Sequence, residues 1–391
     1  MKRTAISSAL IMLIATLTTS QSMAGVSFGD AKTDLGQLNV SGTLRVNYQD
    51  KDYAIASGGD QKIKFDVAIL KLKYDAKDWF GQAEYRCYQY DKFCDFSTLV
   101  TGYLGYKISD TDNITVGLQP IPFGPSRYWD SSFYASINNT LGLQDILNIG
   151  VNYHSEFATA TQIDLAYFAA DGGSYHGSSR DAARYTANLI HSGDAEKTHL
   201  DEKNMLMARV KQKINVFEDS GIGLSLGGSY WYSDIENNKN NQTGSRKAWA
   251  LFSELNYANF ALTLTGGDLS IDNKDPLQPY SSTFGSFDSE YDVANDGRFY
   301  TFDARYQFKN VAENLNLTPY LVYSKYDKDH GFKDSQRHAL GVAWDYKNMS
   351  LYTEYLMTKN DVFIAGDASS LAEGKKDDWN KLLNLMFIYN F

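Results

Sequence analysis

Charged side chains recur in this chain within alternating segments, where they share a face with small polar residues and oppose an apolar face. The basic members are Arg45, Arg86, Lys107, Arg209, Lys211, Lys213, Arg305 and Arg337. The acidic ones are Asp66, Glu84, Asp164, Glu254, Asp303, Asp345 and Glu354. Arg127, Asp130 and Asp145 add charges in a stretch without alternation. Opposed charges across a narrow aqueous gap orient dipolar solutes and turn away large apolar ones. Should the stretch that holds Arg127, Asp130 and Asp145 fold inward, these three would face Arg45, Glu84 and Arg86 across such an eyelet. A simpler use is open to each of them: Glu84 and Arg86 could brace one wall, and Arg127 with Asp130 could pair inside their own segment.

Those charges need elements to hold them. A period of two with one apolar face is a β-strand. Sixteen such segments can be read: 37–49, 61–75, 79–90, 99–108, 112–119, 147–156, 160–169, 204–214, 221–233, 246–257, 259–270, 298–309, 315–326, 335–346, 348–358 and 380–391. Short joins alternate with long ones at 50–60, 91–98, 120–146, 170–203, 234–245, 271–297, 327–334 and 359–379. An even strand count with turns short at one end and loops long at the other is the pattern of a transmembrane antiparallel β-barrel.

One segment fits poorly. Lys71 and Lys73 share a face with Ile63, Phe65, Val67 and Ile69, which calls for a rim position or a β-bulge. A soluble β-sandwich is the competing fold, since its strands also alternate. Aromatics at the ends of the apolar faces favour the barrel.

Lys2 and Arg3 followed by the apolar run Ala9 to Leu17 and the small residues Ser22-Met23-Ala24 read as a signal peptide over 1–24. Residues 25–391 read as one barrel domain, with 25–36 as a short periplasmic lead-in. No later run reaches the roughly 20 apolar residues of a membrane helix, so a membrane location would demand a closed barrel. Export makes a Cys87–Cys94 disulfide the expectation for the only two cysteines. The formal charge of −10 argues against nucleic acid. Six scattered histidines, none at a metal-ligand spacing, imply neither metal nor cofactor.

The last strand sets Leu383, Leu385, Phe387, Tyr389 and Phe391 on one face. Its end, with Phe387, Tyr389 and a final Phe391, resembles the assembly signal of bacterial outer-membrane barrels. The stretch from Phe65 to Tyr85, Val116-Gly117, and Pro122-Phe123-Gly124 preceded by Pro120 resemble the phosphate-selective porin O/P-like family of Gram-negative bacteria. That resemblance implies sixteen strands, a homotrimer, periplasmic termini and a third external loop, 120–146, folded inward. The aromatic surface of that loop agrees: Tyr128, Trp129, Phe133 and Tyr134 need something to pack against. Phosphate selectivity would need a ladder of Arg and Lys, and this lining is mixed, so the architecture carries over and the anion does not.

The resemblance implies an outer-membrane porin for passive diffusion of small hydrophilic solutes or ions, constricted by 120–146. Its partners would be outer-membrane lipid, lipopolysaccharide and the barrel-assembly machinery. Two alternatives compete. An outer-membrane lipase or protease could assemble a triad from separate strands, although no Gly-x-Ser-x-Gly is present. A receptor or adhesin could work through the loops 170–203, 271–297 and 359–379, but the dozen residues before the first strand leave no room for a plug.

Overall fold

The computed structural model describes residues 25–53, 62–214, 220–374 and 378–391; the signal peptide read over 1–24 lies outside them. Sixteen antiparallel strands form the wall. They are β1 (Gln37–Lys51), β2 (Ile63–Asp75), β3 (Trp79–Gln89), β4 (Phe93–Lys107), β5 (Asp112–Pro120), β6 (Leu147–Glu156), β7 (Thr161–Ala170) and β8 (Leu200–Ile214). The other half comprises β9 (Ile222–Asn237), β10 (Gln242–Tyr257), β11 (Phe260–Asp272), β12 (Asp296–Tyr306, resumed as Phe308–Ala312), β13 (Leu315–Lys328), β14 (Ser335–Tyr346), β15 (Met349–Lys359) and β16 (Asn380–Asn390). Each pairs with its chain neighbours, and β16 pairs with β1 from Asn390 on Thr43 to Leu382 on Lys51. Closure leaves no edge among these sixteen strands, and Val26–Gly29 adds a short strand beside Gln37–Val40. All sixteen segments read from the alternation are these strands.

Alternation dictates the two surfaces. On β14, Leu340 and Trp344 are exposed outward while Arg337, Ala339 and Ala343 are buried inward. Around the wall Val116, Leu165, Leu206, Leu251 and Leu321 form an exposed apolar belt. Each such side chain would gain about 1.5–3 kcal/mol on passing from water to hydrocarbon. Rings flank the belt at both ends. Trp79, Tyr106, Tyr257, Tyr306 and Tyr389 lie toward the short turns, and Tyr167, Trp249, Tyr300, Tyr323 and Trp379 toward the long connections. Two aromatic girdles around an apolar band are the surface of a lipid-embedded barrel.

The misfit in β2 is a bulge. Register runs Arg45 to Val67 and then Val46 to Phe65, leaving Asp66 as the extra residue. Ile63 and Phe65 therefore face out beside Tyr48 and Val46, while Val67, Ile69, Lys71 and Lys73 face in beside Arg45, Thr43, Ser41 and Asn39.

Two long connections expected from the sequence are tight hairpins instead. The join expected at 91–98 spans only 90–92, because the Asp95 carboxylate accepts the backbone N–H groups of Tyr90, Asp91 and Lys92 at 2.7–2.9 Å. The join expected at 234–245 spans 238–241, since β9 and β10 stay paired through Asn237 and Gln242.

The connections 121–146, 171–199 and 273–295, with Leu371 of 360–379, turn inward. Asn188–Leu189, Ser281–Ser286 and Ser289–Ala294 form a three-stranded sheet, and Val293 bridges to Leu371. Phe123, Trp129, Ile137 and Leu141 of segment 121–146 join Leu189, Phe284 and Tyr291 in one apolar cluster with Phe168, Trp231, Phe299 and Tyr326 of the wall. The interior is dry along this side. Inward rings on β7, β9, β12 and β13 meet apolar loop side chains there rather than water.

Candidate constriction site

Segment 121–146 is positioned from both of its ends. Prolines 120, 122 and 125 remove the donors that would continue β5. Gly124, at φ 71°, donates its N–H to Ser229 Oγ on β9 at 2.9 Å, and a Cβ there would lie 2.4 Å from the Trp129 ring. The segment then crosses to β12–β15. Ser131 donates its N–H and hydroxyl to Asp303 at 2.9 and 3.1 Å, and Glu354 Oε1 accepts Ser132 Oγ and Phe133 N–H at 2.7 and 2.8 Å. Ser324 Oγ accepts the Ile137 N–H at 3.0 Å, where the short helix α1 (Ile137–Thr140) begins. Because these wall residues alternate with outward apolar ones, the segment runs inside the ring of strands.

Two buried arginines clamp α1. Arg337 on β14 binds Asp361 through Nε and Nη2 at 2.6 and 2.8 Å and directs Nη1 to the Ser136 carbonyl at 3.2 Å. Arg246 on β10 donates to the Gly142 carbonyl at 2.7 Å, pairs with Glu202 at 3.3 Å and lies 4.0 Å over the Trp231 ring.

The other side of the segment meets water. Arg127 pairs with Asp145, and Tyr128 beside it is 50% exposed although it lies within the barrel. Facing them are inner side chains of β1–β4. Arg45 binds the bulge residue Asp66 at 2.6 Å, with its guanidinium 4.9 Å over the Phe133 ring. Glu84 holds Arg86 at 2.5 Å, and Lys71 stands opposite Glu84 in register. Arg86 Nη1 also reaches the hydroxyls of Tyr88 and Tyr185, each at 3.1 Å, and the Tyr185 hydroxyl donates to Asp145 Oδ2 at 2.6 Å. Four cations, Arg45, Lys71, Arg86 and Arg127, thus surround three carboxylates, Asp66, Glu84 and Asp145. Burial opposes the charge on Arg127, but Asp145, Tyr128 and Tyr185 outweigh it and hold the guanidinium protonated.

The eyelet charges read from the sequence divide. Arg45, Glu84, Arg86, Arg127 and Asp145 meet here. Asp130 does not: its carboxylate accepts Ser132 N–H, Ser136 N–H and Gln144 Nε2 at 3.0–3.1 Å and lies toward Asp303. Burial pushes the Asp130 pKa up. Arg337, expected on a wet lining, is instead sealed under segment 121–146. The reason is common to both: an irregular segment's path leaves no periodic trace in the sequence.

Arg305 stands partly open beside Asp303 at 3.3 Å and Ser131 at 3.0 Å. Arg209 with Asp164 at 2.8 Å, and Lys211 with Glu254, form a wetter row nearer the short turns. Lys107 ties the β2–β3 turn through Asp75 at 2.8 Å and the Ala76 carbonyl at 2.7 Å. Cys87 and Cys94 are joined across the β3–β4 hairpin, Cα atoms 4.8 Å apart. Phe387, Tyr389 and Phe391 face outward, and Phe391 exchanges backbone hydrogen bonds with Gly42 at 2.8 and 3.0 Å. Sequence reasoning missed Tyr185, Asp361 and the Glu202–Arg246 pair. Arg246 sits on an alternating inner face and could have been read; Tyr185 and Asp361 belong to irregular loops and could not.

No protein-family model matches the chain, and no curated protein matches it. Solved structures do. The outer membrane channel DcaP of Acinetobacter baumannii superposes with TM-score 0.58 at 13% identity, covering 93% of this chain and 99% of that one. An anion-selective porin from Comamonas acidovorans gives 0.54 at 12% identity, covering 91% and 100%. The chain has the fold of an outer-membrane porin. Salmonella typhi OmpF, solved with daunomycin, agrees at TM-score 0.58 and 13% identity, covering 94% and 100%. Within this porin fold, segment 121–146 follows the fifth strand and connects β5 to β6.

Proposed function

We propose that the chain is a porin of the bacterial outer membrane, passing small hydrophilic solutes or ions by passive diffusion, without covalent chemistry or a cofactor. The observation that carries this reading is the half-exposed Tyr128, beside the partly covered Arg127, at the edge of segment 121–146 inside a closed barrel, set against Arg45, Asp66, Lys71, Glu84 and Arg86. Charged groups around a water-accessible gap act on dissolved solutes. The apolar belt and girdles support insertion in lipid. The long connections then belong to the cell-exterior end of the barrel, lipopolysaccharide surrounds that rim, and the termini lie in the periplasm. The barrel-assembly machinery would read the strand ending at Phe391. A homotrimer belongs to the same reading, on the family resemblance of the sequence. The mixed lining supports the porin architecture rather than a phosphate ladder.

The test is conductance of the purified chain in planar bilayers, with reversal potentials measured across a salt gradient. Wild type is expected to conduct steadily with a mild anion preference, given one cation in excess at the gap. Arg127→Glu reverses that excess and is expected to shift the reversal potential toward cations. A chain that inserts without conducting would overturn the reading. Unchanged selectivity in Arg127→Glu would remove Arg127 from the constriction.

A further inference from the structure

We infer that Tyr185, from the connection between β7 and β8, is a strut that closes one side of the constriction and sets its width. The inference rests on the porin reading and adds a determinant outside segment 121–146. Tyr185 is where two elements meet. Its hydroxyl accepts from Arg86 Nη1 on β3 at 3.1 Å and donates to Asp145 Oδ2 of segment 121–146 at 2.6 Å. Its ring lies 4.7 Å beneath the Arg86 guanidinium. Phe287, from the connection between β11 and β12, backs that ring edge-on at 5.4 Å and itself meets Tyr88 at 5.7 Å.

The chemistry of these contacts argues for a bridge rather than filler. Asp145 already holds Arg127 and Glu84 already holds Arg86, so the phenol joins two ion pairs into one chain, Glu84–Arg86–Tyr185–Asp145–Arg127. A hydroxyl that donates to a carboxylate while accepting from a guanidinium is engaged as both donor and acceptor in this one position. The ring occupies the space between wall and segment and is 8% exposed, whereas Tyr128 is half exposed. Solute is therefore left the part of the gap bounded by Arg45, Asp66, Lys71 and Tyr128.

The experiment compares full-length wild type, Tyr185→Ala, Tyr185→Phe and Leu189→Ala in planar bilayers, with neutral polyethylene glycols of graded size as probes of width. Tyr185→Ala removes ring and bridge and is expected to raise conductance about twofold and admit larger polymers. Tyr185→Phe keeps the ring but frees both ion pairs, so its conductance should rise less. Leu189→Ala trims a buried side chain of the same connection in the cluster of Trp231 and Phe284, apart from the cluster of Tyr185, Tyr88 and Phe96, and should keep the wild-type polymer cut-off. Wild-type conductance and cut-off in Tyr185→Ala would overturn the strut, and so would an equal widening in Leu189→Ala, which would mean loosened loop packing. Should Tyr185→Ala fail to insert, Tyr185→Phe decides, and a conductance and selectivity identical to wild type would sink the inference. A wild type that does not conduct would sink the porin reading itself, whereas a conducting wild type with an unaffected Tyr185→Ala sinks only the strut.

Discussion

Arg337 and Arg246 share an arrangement that explains how an irregular segment is held inside a wide barrel. Each is buried, each faces one carboxylate, and each also donates to backbone carbonyls around α1. A helix C-terminus leaves carbonyls without intrahelical partners; Arg246 supplies a donor there at Gly142, and Arg337 holds the carbonyls of the turn that leads into α1. Removing one member of a buried pair leaves the other charge uncompensated, typically a loss of about 3–5 kcal/mol. Arg337→Met is expected to lower barrel stability by that order, read as the midpoint of heat-induced unfolding. Arg337→Met with Asp361→Leu should recover most of the loss, because no lone charge remains buried. If the double variant is no better than the single one, the carbonyl bonds to Tyr134, Ala135 and Ser136 matter more than the pair.

At the scale of elements, the β2 bulge shows a wall adapting its register to place one charge. Val67 faces in and Phe65 faces out, as two adjacent positions of a regular strand would, so Asp66 is a true insertion between them. Deleting Asp66 leaves every other side chain on its present face and removes the carboxylate 2.6 Å from Arg45. The deletion variant is expected to fold and to shift the reversal potential further toward anions; misfolding would mean the bulge itself is required by the sheet. The same element marks where sequence reading worked and where it stopped. Period two revealed all sixteen strands, because the outer face is apolar nearly everywhere, and it placed Arg45, Glu84 and Arg86 inward. It could not decide the facing of Lys71 and Lys73, because an inserted residue breaks the count. Nor could it see that Asp95 folds its hairpin tightly, or which way Asp130 would turn, because hydrogen bonding to backbone N–H groups has no fixed spacing.

Taken whole, the molecule is a barrel whose interior is asymmetric. On the side of β7–β13, segment 121–146, the three-stranded sheet and Leu371 share one dry cluster with the wall. On the side of β1–β3, paired charges and the half-exposed Tyr128 border the gap, beside a second apolar cluster in which Val67, Tyr88, Phe96 and Val100 pack with Tyr185 and Phe287. Connections built this way are not flaps hinged at the rim. To open one of them would expose Trp129, Phe284 and Tyr291, all nearly fully buried, and would strip Arg246 and Arg337 of partners. Local opening is governed by such contacts, so backbone amides within the cluster should be released only when the wall itself unfolds. Hydrogen exchange on the folded protein in detergent tests this. The amides of 281–294 and 136–146 are expected to exchange as slowly as those of β9–β12. Fast exchange in these two segments, with the strands still protected, would show that the connections open on their own, and that the gap beside Arg127 has no fixed width.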